Sequence, residues 1–244
     1  MNFTLSERQQ EILEKVCQEY IRQALPISSN YLKERYHLPY SSATIRNELF
    51  ELERKNFLSH PYISAGRIPT DKGYRFFVDK ILKEEVLEDF INSRLKCIEE
   101  LFSELERIDD IIRASQQISK TLSSLLSGLV FAHFPSQEIL LKEGWEILIK
   151  EPEFRDIQYL KKFIKGINDF EKNIDKLDWE KGRIRVYIGR ENPLHQKEMS
   201  VMISETYFPK RIEGRIAILG PKRMDFKRNI SLINSLIKMA ENFD

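Results

Sequence analysis

The 244-residue sequence predicts an α+β protein in three parts, and three observations carry that prediction. Residues 41–75 read SSATIRNELFELERKNFLSHPYISAGRIPTDKGYR: a helical stripe, a short run around Ser64-Ala65-Gly66-Arg67 that turns back on itself, and a new helix start at Pro69-Thr70. Residues 84–127 carry a sustained helical pattern with charged residues between the apolar positions. Beyond them, strand-like runs separated by turn residues alternate with amphipathic helices. The parts fall at 1–80, 81–127 and 128–244.

Ser6-Glu7-Arg8-Gln9 fits a capping box, in which a Ser oxygen and a Gln side chain satisfy orphan helix amides reciprocally. Ile12, Leu13, Val16, Tyr20 and Ala24 recur at helical spacing, and the helix must stop before Pro26. Ser28 and Ser29 cap a short second helix to about Tyr36, with Leu32 inward, and His37-Leu38-Pro39-Tyr40 is a turn. Serines 41 and 42 open a third helix whose Ile45, Leu49 and Leu52 form a buried stripe. That stripe sends Ala43 and Asn47 to the opposite side, flanked by Thr44 and Arg46. Phe50 also points outward and is expected to pack against the following hairpin. Phe57 and Leu58 begin a strand that passes His60 and Pro61, and Gly66 is expected to supply positive φ at the hairpin tip, beside Arg67.

Helix, hairpin, helix is the layout of a winged helix-turn-helix, a device for reading duplex DNA. In that reading Ser42, Ala43, Thr44, Arg46 and Asn47 meet base edges: Asn pairs with adenine, Arg with guanine, and methyl groups touch thymine. His60, Ser64, Gly66, Arg67, Thr70, Lys72 and Arg75 form the wing and its phosphate contacts. The alternatives are a plain hairpin beside an ordinary solvated helix, or a winged-helix protein-interaction or ligand-sensor module without specific operator binding.

From Glu84 to about Ser127 the pattern is one long helix or two in line. Leu87, Ile91, Leu95, Ile98, Phe102 and Leu105 recur at spacings of three and four, a coiled-coil-like seam that needs a partner. A second copy of the chain is the economical partner, because two-fold proteins match two-fold operators; the C-terminal part is the other. Leu129 to Phe134 reads as a buried strand. Residues 137–150 and 156–178 read as helices, 184–189, 200–206 and 214–219 as strands, and a last amphipathic helix follows Pro221.

Composition excludes several functions. With 41% hydrophobic and 32% charged residues and no 18-residue apolar run, no membrane-spanning helix is expected. MNFTLSERQQ lacks a signal-peptide pattern, so a cytoplasmic protein is expected, with Cys17 and Cys97 as reduced thiols. The net charge of +1 hides an acidic stretch: residues 84–113 hold 4 basic and 10 acidic residues, whereas residues 1–80 hold 12 and 10. Four scattered histidines (37, 60, 133, 195), no HExxH, no GxSxG and no glycine-rich phosphate loop give no basis for a metal, a cofactor or an enzyme.

The chain resembles the HrcA family of bacterial heat-inducible transcription repressors. The resemblance rests on Ser42-Ala43-Thr44-Ile45-Arg46-Asn47 with Leu52-Glu53, and on Ser64-Ala65-Gly66-Arg67-Ile68-Pro69-Thr70 followed by Gly73-Tyr74-Arg75 and Val78-Asp79. It continues through Ile118-Ser119, Pro152-Glu153-Phe154, Ile188-Gly189-Arg190-Glu191-Asn192 and Gly220-Pro221-Lys222-Arg223-Met224-Asp225. It implies a homodimeric repressor on an inverted-repeat operator (the CIRCE element) upstream of chaperone genes, with the chaperonin GroEL as a further partner. It also implies a GAF-like C-terminal domain interrupted by a dimerisation insert. This chain is markedly shorter than typical members, with the gap expected between Phe134 and Gly144, so a reduced GAF-like domain lacking much of its sheet is expected. Tyr62-Ile63 and Asn56 stand where the family usually has His-Thr and Gly.

Overall fold

A computed structural model describes residues 5–62, 65–83, 92–193 and 196–242, with the side chains of 92–94 left aside, and divides into two compact units, Met1–Lys83 and Glu84–Asp244. In the first unit, α1 (Glu7–Gln23) carries the expected capping box between Ser6 and Gln9 and ends at Ala24, whose φ of 55° stops the helix before Pro26. Helix α2 (Ser29–Tyr36) is capped by Ser28, and α3 (Ser42–Arg54) by Ser41. Each such cap contributes about 1 kcal/mol. A two-stranded antiparallel ribbon, β1 (Leu58–Ser59) and β2 (Ile68–Pro69), then leads into α4 (Asp71–Lys83). Ile12, Leu13, Val16, Leu32, Ile45, Leu49, Leu52, Phe57 and Phe77 close one core. Cys17 lies within it, and burial pushes its thiol far up, which keeps it protonated and inert.

The second unit begins with a correction. Residues 92–125 form neither one long helix nor two in line. Helices α5 (Asn92–Leu105) and α6 (Ile111–Leu125) fold back on each other: Gln117 Nε2 donates to Glu104 at 2.8 Å, while Ile98 lies beside Leu122 and Leu125. The break has local causes. Asp110 caps α6 through the Arg113 amide at 2.8 Å, and Lys210 grips both the Ile108 carbonyl (2.9 Å) and Asp109 (2.7 Å). Ile98, Phe102 and Leu105 are therefore buried inside their own unit, with no exposed surface, and do not form a seam for a second chain. Leu95 is half-buried, and Leu87 and Ile91, the other positions of the expected seam, lie outside the described residues.

Five strands, β3 (Leu129–Phe134), β4 (Ile139–Glu143), β5 (Ile184–Ile188), β6 (Met199–Phe208) and β7 (Ile212–Pro221), form an antiparallel sheet in the order β4-β3-β7-β6-β5. The helix expected over 137–150 is instead β4 followed by the single turn α7 (Trp145–Leu148). Pairing with β3 along Ile139-Leu140-Leu141 outweighs helical propensity. Gly144 then turns the chain at a φ of +100°, so close to Gly128 that a Cβ would lie 2.6 Å from its carbonyl oxygen. Where the missing stretch is expected, β3 and β4 join through a tight turn at 135–138.

One face of the sheet packs on α8 (Ile157–Asn173), where Leu129, Phe131, Val201, Ile203 and Leu219 meet Phe163, Ile167 and Phe170. The other face is covered by α5, α6 and α9 (Phe226–Asn242), with Phe102 and Phe134 both against Phe208. Among the described residues, no helix is long and apolar enough to cross a membrane.

Candidate nucleic-acid interface

Helix α3 presents a defined outer stripe because it is fixed at its start and at its middle. Ser41 Oγ accepts from the Thr44 amide (3.0 Å) and lies 2.8 Å from its hydroxyl. Midway, the buried Glu48 accepts from Arg8 Nε (2.7 Å) and Gln9 Nε2 (3.0 Å), tying α3 to the start of α1. With Ile45, Leu49 and Leu52 in the core, Ala43, Arg46, Asn47 and Phe50 are exposed, and Ser42 and Thr44 flank them half-exposed. Among the described residues, Arg46 and Asn47 have no side-chain hydrogen bond or ion pair. Their donors and acceptors point to solvent. Phe50, expected to pack on the hairpin, is 54% exposed.

The hairpin is held from two sides. Ala65 donates to the Tyr62 carbonyl (2.9 Å) across the turn. The returning strand pairs with the segment before α2, where Ile27 and Arg67 exchange backbone hydrogen bonds of 2.9 and 2.8 Å. Gly66 is needed there for a different reason from the one expected. It is not among the described residues with positive φ; a Cβ on it would lie 2.5 Å from the Ile27 carbonyl group.

Arg67 is likewise not at the tip. Its guanidinium pairs with Glu53 at the end of α3 (2.8 Å) and donates to the Ala65 carbonyl (3.3 Å), leaving the side chain 21% exposed. His60, just beyond β1, meets the other oxygen of the same carboxylate through Nδ1.

The remaining residues of the sequence-based set are engaged internally. Thr70 is a helix cap: its hydroxyl reaches the carbonyls of Asn56 (2.6 Å) and Phe57 (3.1 Å) and accepts from the Gly73 amide (3.2 Å). Lys72 donates to the Lys55 carbonyl (2.9 Å) over the Phe57 ring, and Arg75 pairs with Asp79 (3.2 Å). Ser64 lies outside the described residues. The structure thus leaves the stripe on α3 open and occupies most of the cations assigned to the wing. Sequence reasoning missed Glu53, which reads as a solvated helix end until the hairpin folds back onto it. Among the described residues, no group of three or more His, Cys, Asp or Glu is placed to hold a metal.

The model of the HrcA protein C-terminal domain matches residues 75–230. Heat-inducible transcription repressor HrcA of Chlorobium phaeobacteroides is 26% identical over 337 aligned positions, covering 94% of this chain and 96% of that protein. The proteins of the same name from Shouchella clausii (27% identical, 96% of each chain) and Acetivibrio thermocellus (24%, 98% of this chain and 97% of that one) are similarly related. The 337 positions exceed the 244 residues here by 93, so the Chlorobium protein has at least that many without a counterpart. A solved structure, described as a hypothetical protein at 2.2 Å resolution, shares the fold over 98% of both chains, with a TM-score of 0.75 at 20% identity.

Proposed function

Because the chain belongs to the HrcA family, we propose that it is a heat-inducible transcription repressor that reads an inverted-repeat CIRCE-type operator as a homodimer. Its first unit is a winged helix-turn-helix, and its second a reduced GAF-like domain without the dimerisation insert. The observation that carries this reading is the solvent-facing pair Arg46 and Asn47. They lie on the outer stripe of a helix anchored through Glu48, directly ahead of a fixed hairpin. Arg46 can offer two donors to the O6 and N7 of a guanine, and Asn47 one donor and one acceptor to the N7 and N6 of an adenine.

Helix α3 enters the major groove with its first two turns against the bases, using Ser42, Ala43, Thr44, Arg46 and Asn47. The hairpin, with Lys72 and Arg75 behind it, approaches the backbone. Two units related by the dimer axis then meet half-sites separated by about 34–36 Å or a multiple, and occupancy blocks transcription sterically. The chaperonin GroEL is carried as a partner on the family resemblance.

The test is fluorescence anisotropy on a palindromic CIRCE-type duplex and a scrambled duplex of equal length, across a salt series. Preferential binding of two chains per palindrome, with Asn47→Ala losing about 1–3 kcal/mol and relaxing specificity at one position, is the expected result. Equal, salt-steep binding to both duplexes refutes operator reading. A second reading, docking of this unit to protein, draws on the exposed Phe50 and Tyr62 (54% and 63%). It predicts that Arg46→Ala and Asn47→Ala leave duplex binding unchanged.

A further inference from the structure

We infer that Glu53 is a positioning residue that clamps the wing onto the recognition helix, and that Arg67 acts through this clamp rather than as a phosphate ligand. The inference rests on the DNA-reading function proposed above. Its geometric basis is the division of one carboxylate between the two sides of the hairpin. One oxygen holds Arg67, on the returning strand, at 2.8 Å; the other holds His60, just after the outgoing strand. Glu53 lies one helical turn beyond Phe50 at the end of the outer stripe of α3, so it joins the base-facing surface to the hairpin.

Three features argue against a free Arg67. Its side chain is 21% exposed, matching that of Glu53, so the pair is partly withdrawn from solvent and less screened than a surface ion pair. Its Nε is buried, so the guanidinium does not project from the hairpin edge. Its backbone is also fixed, by two hydrogen bonds to Ile27 and by Gly66 lying against the Ile27 carbonyl. An Arg67 drawn away from Glu53 to a phosphate would leave that carboxylate without its arginine beside the polyanion. Electrostatics therefore favours keeping the pair closed in the complex. The closed pair fixes the angle between wing and helix, which supports specific binding by pre-organisation. Arg67 then contributes no released counterion.

The test uses the full chain with Glu53→Gln, Arg67→Gln and the exchange variant carrying Glu53→Arg and Arg67→Glu together. Affinity for the palindromic and scrambled duplexes is measured over a salt series. The clamp predicts that each single variant weakens palindrome binding by at least about tenfold, the loss of one charge-assisted hydrogen bond, with an unchanged salt slope. The exchange variant should regain most of the lost affinity. A slope reduced by about one unit in Arg67→Gln, or a folded exchange variant no better than the singles, overturns the inference. Should the exchange variant not fold, the Arg67→Gln slope decides alone.

Hydrogen exchange separates this inference from the functional reading. With no DNA present, amides of the hairpin around β1 and β2 must exchange faster in Glu53→Gln. If they do not, the clamp is refuted; if they do and the palindrome is not preferred even by the unmodified chain, only the operator reading fails.

Discussion

Glu153 and Arg223, 70 residues apart, meet in a two-point ion pair: Arg223 Nε donates to Oε1 at 2.6 Å and Nη2 to Oε2 at 2.9 Å. Glu151 takes a further contact from Nη2, and the Arg223 side chain is only 7% exposed. The pair joins the turn ahead of α8, which covers one face of the sheet, to the loop that launches α9 onto the other. Two separate stretches of the sequence motif thus form one lock between layers. Removing one partner of such a pair leaves carboxylates without compensation, so Arg223→Ala should destabilise the second unit by about 3–5 kcal/mol. Arg223→Lys, which keeps the charge but loses the fork, should cost less. Trp145 and Trp179 are the two tryptophans of the chain and both lie in this unit, so urea unfolding followed by tryptophan fluorescence reads the change directly. An unshifted midpoint for Arg223→Ala refutes the lock.

The first unit carries a different polar hub. Glu19 is 3% exposed and accepts from Tyr31 (2.6 Å), Tyr36 (2.8 Å) and Arg22 (2.6 Å). Burial opposes its charge, but hydrogen bonds from Tyr31, Arg22 and Tyr36 together outweigh it and hold the carboxyl below the ordinary 4.5. Because the folded value is the lower one, the associated stability is fully present above the ordinary value and is lost as pH falls through the folded one. Glu19→Gln should therefore cost about 1–3 kcal/mol near neutral pH, and the gap to the unmodified chain should shrink as pH falls below 4.5. Far-ultraviolet circular dichroism melts across that range test it, and a gap independent of pH counts against the hub.

Most of the fold was legible where local chemistry decides it. Ser6-x-x-Gln9, the paired serines before α2 and α3 and the Ile45-Leu49-Leu52 stripe each encode their structure within a few residues. The three late strands and the last helix likewise follow from apolar runs between turn residues. What was not legible depends on partners distant in sequence. Apolar residues at 139–141 suit a helix or a strand until β3 is beside them. Seam positions Ile98, Phe102 and Leu105 carry no mark of which surface buries them. The outer stripe of α3 could be read from its inner one. The occupation of Arg67, Thr70 and Lys72 could not, because Glu53, Asn56 and Lys55 meet them only after the hairpin folds back, whereas Arg75 pairs with Asp79 one turn along its own helix.

Gly66 supplies a test of the close approach that seats the hairpin. A Cβ there would lie 2.5 Å from both the carbonyl carbon and oxygen of Ile27, and backbone atoms cannot rotate away as a side chain would. Gly66→Ala must therefore push the returning strand off Ile27 and break one or both hydrogen bonds to Arg67. A loss of about 1–3 kcal/mol in the first unit is expected, together with faster hydrogen exchange at the Ile27 and Arg67 amides. Because φ at Gly66 is not among the positive ones, the cost is steric rather than torsional, so Gly66→Ser should be no better tolerated. Protection at Ile27 equal to that of the unmodified chain refutes the contact.

Phe102 decides between two accounts of the long helical segment. As part of an intermolecular seam, its removal would separate dimers and leave the monomer folded. The structure instead encloses it fully, with its ring centroid 6.0 Å from that of Phe208, which in turn lies 6.3 Å from that of Phe134 on the adjoining sheet face. Truncation leaves a cavity between α5 and the sheet that neighbouring aromatic rings fill only in part. Phe102→Ala should therefore cost about 3–5 kcal/mol, seen as a lower urea midpoint in tryptophan fluorescence. Sedimentation of the fraction that remains folded should show the same oligomeric state as the unmodified chain. Any dimer must then be held by surface other than Ile98, Phe102 and Leu105, since a side chain already enclosed by its own unit has no area left to bury against a second copy. A variant that sediments as a monomer while retaining the original urea midpoint would return these residues to the interface.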